Sequence, residues 1–129
     1  MEGDGNYRQK LGKLGEDLAC RFLENKGHTV LERNYRSGHL EIDIISFDCE
    51  GIHFVEVKTR RQSIQAPPQD NVDAGKQRKI TKAAQAFLKT RKGLPFGNHE
   101  CMFDVIAVTF EQDEARIDWF PQAYIPIYY

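Results

Sequence analysis

Several absences narrow this chain before any motif is read. Cysteine is scarce: Cys20, Cys49 and Cys101 are the three in 129 residues, they stand far apart, and none makes a C-x-x-C pair. That pattern argues against a disulfide framework and against a structural zinc site, and a reducing cytoplasm is the expected compartment. Cys20 and Cys101 read as small core residues and Cys49 as a loop residue. No apolar run approaches the roughly 20 residues of a membrane span, and MEGDGNYRQK lacks the apolar core of a signal peptide, so no membrane partner is expected. An excess of positive charge is missing too, with 18 Lys and Arg against 19 Asp and Glu. A protein that held nucleic acid through a global positive field would be strongly basic, so any such contact needs a local patch. Gly12 to Gly15 lacks the further glycine and the preceding strand of a dinucleotide site. No local signature supports a Ser or Cys nucleophile, and no repeat is present.

What remains is the composition of a globular protein, 40% hydrophobic and 29% charged, at a length that suits a single domain over residues 1–129. Two runs rich in Ile, Val and Phe, Leu40 to Phe47 and Ile52 to Thr59, flank Asp48-Cys49-Glu50-Gly51 and read as an antiparallel hairpin. Strand alternation puts Glu41, Asp43 and Ile45 on one face and Phe54, Glu56 and Lys58 on one face of the next strand. With a four-residue loop, Ile45 pairs with Phe54, Asp43 with Glu56, and Glu41 with Lys58. Directly opposed like charges repel, so something positive belongs between Asp43 and Glu56. Two carboxylates on rigid strands suit Mg²⁺, which keeps several waters and takes one or two protein carboxylates. The alternative is a solvated, charged sheet face.

Around the hairpin the order is helix, three strands, helix, two strands. The three- and four-residue steps of Tyr7, Leu11, Leu14, Leu18 and Phe22 predict an amphipathic helix over 7–26, stopped at Gly27. Glu16 sits at the margin of that stripe beside Gly12 and Ala19, small neighbours that let its carboxylate approach the sheet. A strand over 29–35 leads through a turn, Arg36 to His39, into the hairpin. His39 reads either as a turn residue or as a phosphate contact. Residues 1–6 are expected to fray, and 62–70, with Pro67 and Pro68, to form a mobile loop beside the hairpin. A second helix over 71–92 is capped by Asp73 or Asn71 and buries Val72, Ile80, Ala83, Ala84, Phe87 and Leu88. Its first turns carry Lys76, Arg78, Lys79 and Lys82, the one dense basic patch and the expected seat of a phosphate backbone. Cys101 to Phe110 is a strand covered on both faces, with Asp104 in a structural role, and 115–120 an edge strand. The apolar tail, 121–129, either packs back on the sheet or offers a surface to a second copy.

Asp43 followed by Glu56-Val57-Lys58 resembles the signature of the PD-(D/E)xK nuclease superfamily. The chain is more closely similar to the YraN-like family of endonuclease-like bacterial proteins. The matching pieces are Gly15-Glu16-Asp17-Leu18-Ala19, Arg33-Asn34-Tyr35-Arg36, Glu41-Ile42-Asp43, Phe54 to Arg60, Val72-Asp73 with Lys76-Gln77-Arg78, and Phe103-Asp104-Val105. One departure is Leu40, where the family typically has glycine. The resemblance implies a restriction-endonuclease-like (Holliday-junction-resolvase-like) α/β core with a mixed sheet flanked by helices. It implies a metal-dependent endonuclease on DNA, with branched or repair-intermediate DNA among the expected substrates. In that reading Asp43 and Glu56, with the Val57 carbonyl, hold Mg²⁺ or Mn²⁺; Lys58 orients water or binds phosphate oxygens; Glu16 completes the metal shell. Arg60 joins Lys76, Arg78, Lys79 and Lys82 as a nucleic-acid contact. Glu41 either pairs with Lys58 or faces away. The alternative function is a non-catalytic nucleic-acid-binding or protein-interaction module on the same fold.

Overall fold

The computed structural model describes residues 4–61 and 73–124. The expected loop at 62–70, the start of the second helix before Asp73 and the last five residues of the tail lie outside the described residues. The observed order is α1 (Asp4–Asn25), β1 (Thr29–Ser37), β2 (Leu40–Asp48), β3 (Gly51–Arg61), α2 (Ala74–Leu88), β4 (Cys101–Glu111) and β5 (Glu114–Phe120), with a 3-10 turn at Leu94–Phe96. The strands form one sheet in the order β1-β2-β3-β4-β5. Only β3 and β4 run parallel, joined through α2, and the other neighbours are antiparallel. This is the expected α/β class with a mixed sheet.

The helices cover opposite faces. Phe54 and its neighbours Ile42, Ile45, Ile52 and Phe103 pack with Ile80, Ala83, Ala84 and Phe87 of α2. Val55, one residue on and therefore on the other side of β3, packs with Ile44, Ile106 and Val108 against Ala19, Cys20 and Leu23 of α1. Because β4 is buried from Met102 to Thr109, it reads as a continuous apolar run rather than an alternating one. Among the described tail residues, Tyr124 packs on the α2 side and Ala123 N–H donates to the Phe103 carbonyl at 2.8 Å, so this part folds back on the sheet.

The structure corrects several local expectations. The buried stripe of α1 runs through Gly15, Ala19, Cys20 and Leu23, whereas Tyr7 and Leu14 are each 47% exposed. Small residues let α1 lie close on the sheet, a signal that counting only large apolar residues misses. At Gly15 an added Cβ would run into the Thr59 hydroxyl of β3, while Gly12 faces open space. The helix ends in a Schellman motif: Gly27, at φ 96°, donates to Glu24 O, and His28 N–H donates to Leu23 O at 3.0 Å. The β1–β2 turn is Gly38-His39, since Ser37 already pairs with Leu40. The β2–β3 turn is Cys49-Glu50, two residues rather than four, because Asp48 pairs with Gly51; the register beyond it, Phe47 with Ile52 and Ile45 with Phe54, is the expected one. Cys49 lies exposed in that turn, and Cys101 is partly buried against the α2-side core.

Gly15→Ala is expected to destabilise the fold by about 1–3 kcal/mol, the usual cost of overpacking, and Thr59→Ala in the same chain to recover part of it. Gly12→Ala, with space around it, should be neutral or gain up to about 1 kcal/mol from helix propensity. Urea unfolding midpoints of the three variants check both.

Candidate active site

The open end of the β2–β3 hairpin carries the acids. The ladder between these strands stops at Ile44 with Val55, one pair short of Asp43 and Glu56. Beyond it, strict alternation in β2 fails: Ile42 and Ile45, three residues apart, share the α2-side core, while Ile44 belongs to the α1 side. The break frees Asp43 from the ladder, and its Oδ2 accepts the Val57 N–H at 2.8 Å. Glu56 stays in register on β3, buried to 7% exposure and on the same face as Phe54 and Lys58. Asp43, Glu56, His39, Leu40 and Glu41 from the strands and Asp73, Gly75, Lys76, Lys79 and Ile80 from α2 line one cleft of about 440 Å³.

The positive charge expected between the acids comes from the protein itself. Lys76 Nζ lies 2.6 Å from Glu56 Oε2, and Lys58 Nζ lies 3.8 Å from the same oxygen. Lys76 is aimed there by its helix: Asp73 Oδ1 caps α2 by accepting the Lys76 N–H at 2.8 Å. Burial pushes the Asp43 carboxyl up to about 7, with the Glu56 charge next and Glu16 and Glu41 adding to it, against the Val57 hydrogen bond. Burial lowers the Lys58 ammonium, and the neighbouring Lys76 lowers it further. For Lys76 burial works downward, but hydrogen bonding to Glu56 leaves it raised.

The remaining sequence candidates separate. Glu41 accepts from Arg36 Nε at 2.9 Å, so of its two expected arrangements, pairing with Lys58 or facing away, the structure shows the second. Glu16 is 3.8 Å from Arg33 Nη2 in a second cavity on the α1 side with Gln9, Gly12, Lys13 and Asn34; it reaches Asp43 electrostatically. Val57 is seen as an amide donor to Asp43. The basic patch of α2 divides, with Lys76 and Lys79 lining the cleft and Arg78 and Lys82 exposed one helical step apart on another side. Arg60 shares the face of Glu56 and Lys58, and its Nε donates to Thr109 Oγ1 at 3.4 Å.

Of a polar cluster at the other end of the hairpin, the sequence reading held only Asp104, in the structural role that its hydrogen bonds to His53 and the Gln122 amide now show. His28, Asp48, His53 and Asp104 meet there, all buried but Asp48, which is partly so. The available signal was the register, which puts Ser46 opposite His53 inside strands otherwise made of Ile, Phe and Val.

A five-stranded mixed sheet with a helix on each face, and the cleft at the diverging end of its central hairpin, is a restriction-endonuclease-like α/β core. Within that class the chain belongs to UPF0102: residues 15–108 match the family described as "Uncharacterised protein family UPF0102". A UPF0102 protein of Chlorobium chlorochromatii is 45% identical over 118 residues, covering 89% of this chain and 87% of that one. One from Geobacter sulfurreducens is 44% identical over 124 residues, covering 95% and 94%. Another, from Desulforapulum autotrophicum, is 43% identical over 119 residues, covering 92% and 96%.

The raised Asp43 carboxyl has a thermodynamic signature. Its folded pKa, about 7, exceeds the unfolded value, so the folded state holds the extra proton between about pH 4 and about pH 7. The stability it contributes is complete below that window and is lost as pH rises through it. Urea unfolding at pH 5 and pH 8 should therefore show a larger fall for the wild type than for Asp43→Asn, and equal falls would contradict the assignment.

Proposed function

We propose that this chain is a divalent-metal-dependent endonuclease that hydrolyses DNA phosphodiester bonds, branched or repair-intermediate DNA among its substrates. One observation carries the reading: two carboxylates from adjacent strands line one cleft, the Lys76 and Lys58 ammonium groups lie against one of them, and burial followed by the charge of that neighbour raises the other to about 7. The donor set fits a hard cation. Asp43 and Glu56 are oxygen donors in a cleft open to solvent, which suits Mg²⁺ or Mn²⁺ with waters completing the shell. The unfavourable like-charge pair is what such an ion relieves.

When bound, the ion supplies an acidified water and offsets charge on the phosphoryl oxygens. The protein's own groups do the rest. Asp43 and Glu56 hold the ion, with the Val57 carbonyl and Glu16 as further donors in this reading. The Val57 amide commits one oxygen of the Asp43 carboxylate, a residue that lines the cleft. Lys58, on the Glu56 face of β3, orients the attacking water or binds a non-bridging oxygen as a compact charge. With a cation on Glu56, Lys76 would be free to turn to phosphate, since it lines the same cleft. Lys79 in the cleft and Arg60 on the Glu56 face of β3 extend the positive surface beside the acids, and Arg78 and Lys82, exposed on another side of α2, would meet phosphates further along the substrate. A protein with almost no net charge thereby presents a local basic track.

The Lys76–Glu56 contact also supports a second reading, a nucleic-acid-binding or protein-interaction module with no chemistry, because the pair satisfies Glu56 without a metal. Calorimetry with Mg²⁺ and Mn²⁺, together with nicking of supercoiled plasmid and four-way-junction DNA, separates the two. The nuclease reading expects metal binding and metal-dependent nicking that falls about a hundredfold or more in Glu56→Gln and Asp43→Asn, the scale of losing several kcal/mol of charge stabilisation. DNA binding without metal binding, or cleavage that survives Glu56→Gln, overturns it. Lys76→Gln should bind Mg²⁺ more tightly than the wild type in the absence of DNA, since Glu56 loses its competing partner. Lys79→Ala and Lys82→Ala should each reduce the salt slope of DNA binding by about 0.9, one phosphate contact apiece.

A further inference from the structure

The cluster at the turn end of the hairpin has the organisation of a metal site. His28 Nε2 lies 3.3 Å from Asp48 Oδ2, and His53 Nε2 lies 2.8 Å from Asp48 Oδ1. One ligand atom from each of the three residues falls within 4.8 Å of the other two. Four ligands about 2.0–2.1 Å from a tetrahedral Zn²⁺ stand about 3.3 Å apart, a spacing near that of each histidine nitrogen from an Asp48 oxygen. The far ring nitrogens are both committed. His28 Nδ1 is 2.9 Å from Ser46 Oγ, and His53 Nδ1 is 2.7 Å from Asp104 Oδ2. Asp104 is in turn fixed by Gln122 N–H at 2.9 Å and by Trp119 Nε1 at 3.4 Å. Metal-bound histidines characteristically use the second nitrogen in this way, which sets the tautomer and turns Nε2 toward the ion.

His28 supplies an independent sign. Its Nε2 is near Asp48 but out of line for a hydrogen bond, and it is the one buried side-chain polar atom without such a partner among the described residues. Buried polar atoms are rarely left so. The side chain is 1% exposed, so no solvent takes the place of the missing partner. The Schellman turn at Gly27 delivers it there. Asp48 keeps 13% of its side chain exposed, which gives an ion an entry from the Cys49-Glu50 side.

We infer that His28 Nε2, His53 Nε2 and Asp48 form a binding site for a borderline-soft divalent ion, Zn²⁺ by preference, with a water in the fourth position. The donor set of two imidazoles and one carboxylate differs from the all-oxygen cleft at Asp43 and Glu56 and selects a different class of metal. The three cysteines, which argued against structural zinc in the sequence, have no part in it.

The test uses the full chain, stripped of metal by a chelator and titrated with Co²⁺ as the spectroscopic surrogate. A single equivalent should give the intense visible bands of a four-coordinate ion, and Zn²⁺ should displace them. The spectrum should persist in Asp43→Asn/Glu56→Gln, vanish in Asp48→Asn and His28→Gln, and weaken in affinity by about 10- to 100-fold in Asp104→Asn, the usual effect of losing a partner of a ligating histidine. The wild-type titration stands even if a variant fails to fold. Absence of four-coordinate Co²⁺ bands in the wild type, or bands that depend on Asp43 and Glu56 and survive Asp48→Asn, overturns the inference and leaves the cluster as a buried hydrogen-bonded network.

Discussion

The constraint on which the structure turns is that two carboxylates sit side by side in a place with little water. Asp43 and Glu56 come from adjacent strands, Glu56 is nearly buried, and burial followed by the Glu56 charge raises the Asp43 carboxyl. An uncompensated buried charge is among the more destabilising features a fold can carry, so the surroundings must answer it. They do so in two ways. Asp43 takes one backbone donor, from Val57, and retains a proton over part of the physiological range. Glu56 takes Lys76 at 2.6 Å, with Lys58 further off. The position of α2 thus has an electrostatic as well as an apolar cause: Ile80, Ala83, Ala84 and Phe87 dock the helix, and its first turn brings the counter-charge.

That arrangement explains why basic residues crowd the start of α2, where the helix macrodipole disfavours them. Asp73 offsets part of the conflict by capping the helix, and Glu56 offsets more by pairing with Lys76. Lys79, one turn on, shares the cleft, whereas Arg78 and Lys82 look elsewhere. A run of charges that is uniform along the sequence is divided by the helix into a part that serves the acids and a part exposed to solvent.

Much of this was legible in the residues. The hairpin register followed from its length and from strand alternation, and with it the neighbourhood of Asp43 and Glu56. The α2 core followed from its helical spacing and the burial of β4 from its unbroken apolar run. What escaped had physical reasons. Alternation assumes a regular strand, and β2 is irregular at Asp43, so it left both arrangements of Glu41 open where the structure pairs it with Arg36. The face of α1 was set by small residues, Gly15 and Ala19, that bring the helix onto Thr59, and a search for large side chains points one step around the helix. The helix–acid contact through Lys76 joins residues 20 apart in sequence, and no local pattern contains it. His28 and Asp104 were invisible as a pair for the same reason, since they meet only once the sheet order is known.

The two polar clusters are linked by the hairpin that separates them. Asp48 and Asp43 are five residues apart on β2, about 17 Å at the rise of an extended strand. Between them lie Ile44 and Ile45, and on β3 Phe54 and Val55, all with essentially no exposure. The clusters also occupy opposite faces, with Glu56 on the side of Phe54 and α2 and His53 on the side of Val55 and α1. A one-residue slip of β3 against β2 would exchange those faces, driving Glu56 into the α1 core and His53 into the α2 core. The apolar middle of the hairpin and the His53–Asp48 contact at its turn therefore enforce the same register that brings the acids together at its open end. Fixing the turn end is a way of holding the cleft, at a distance too great for the two sites to touch and through strands too well packed to shift independently.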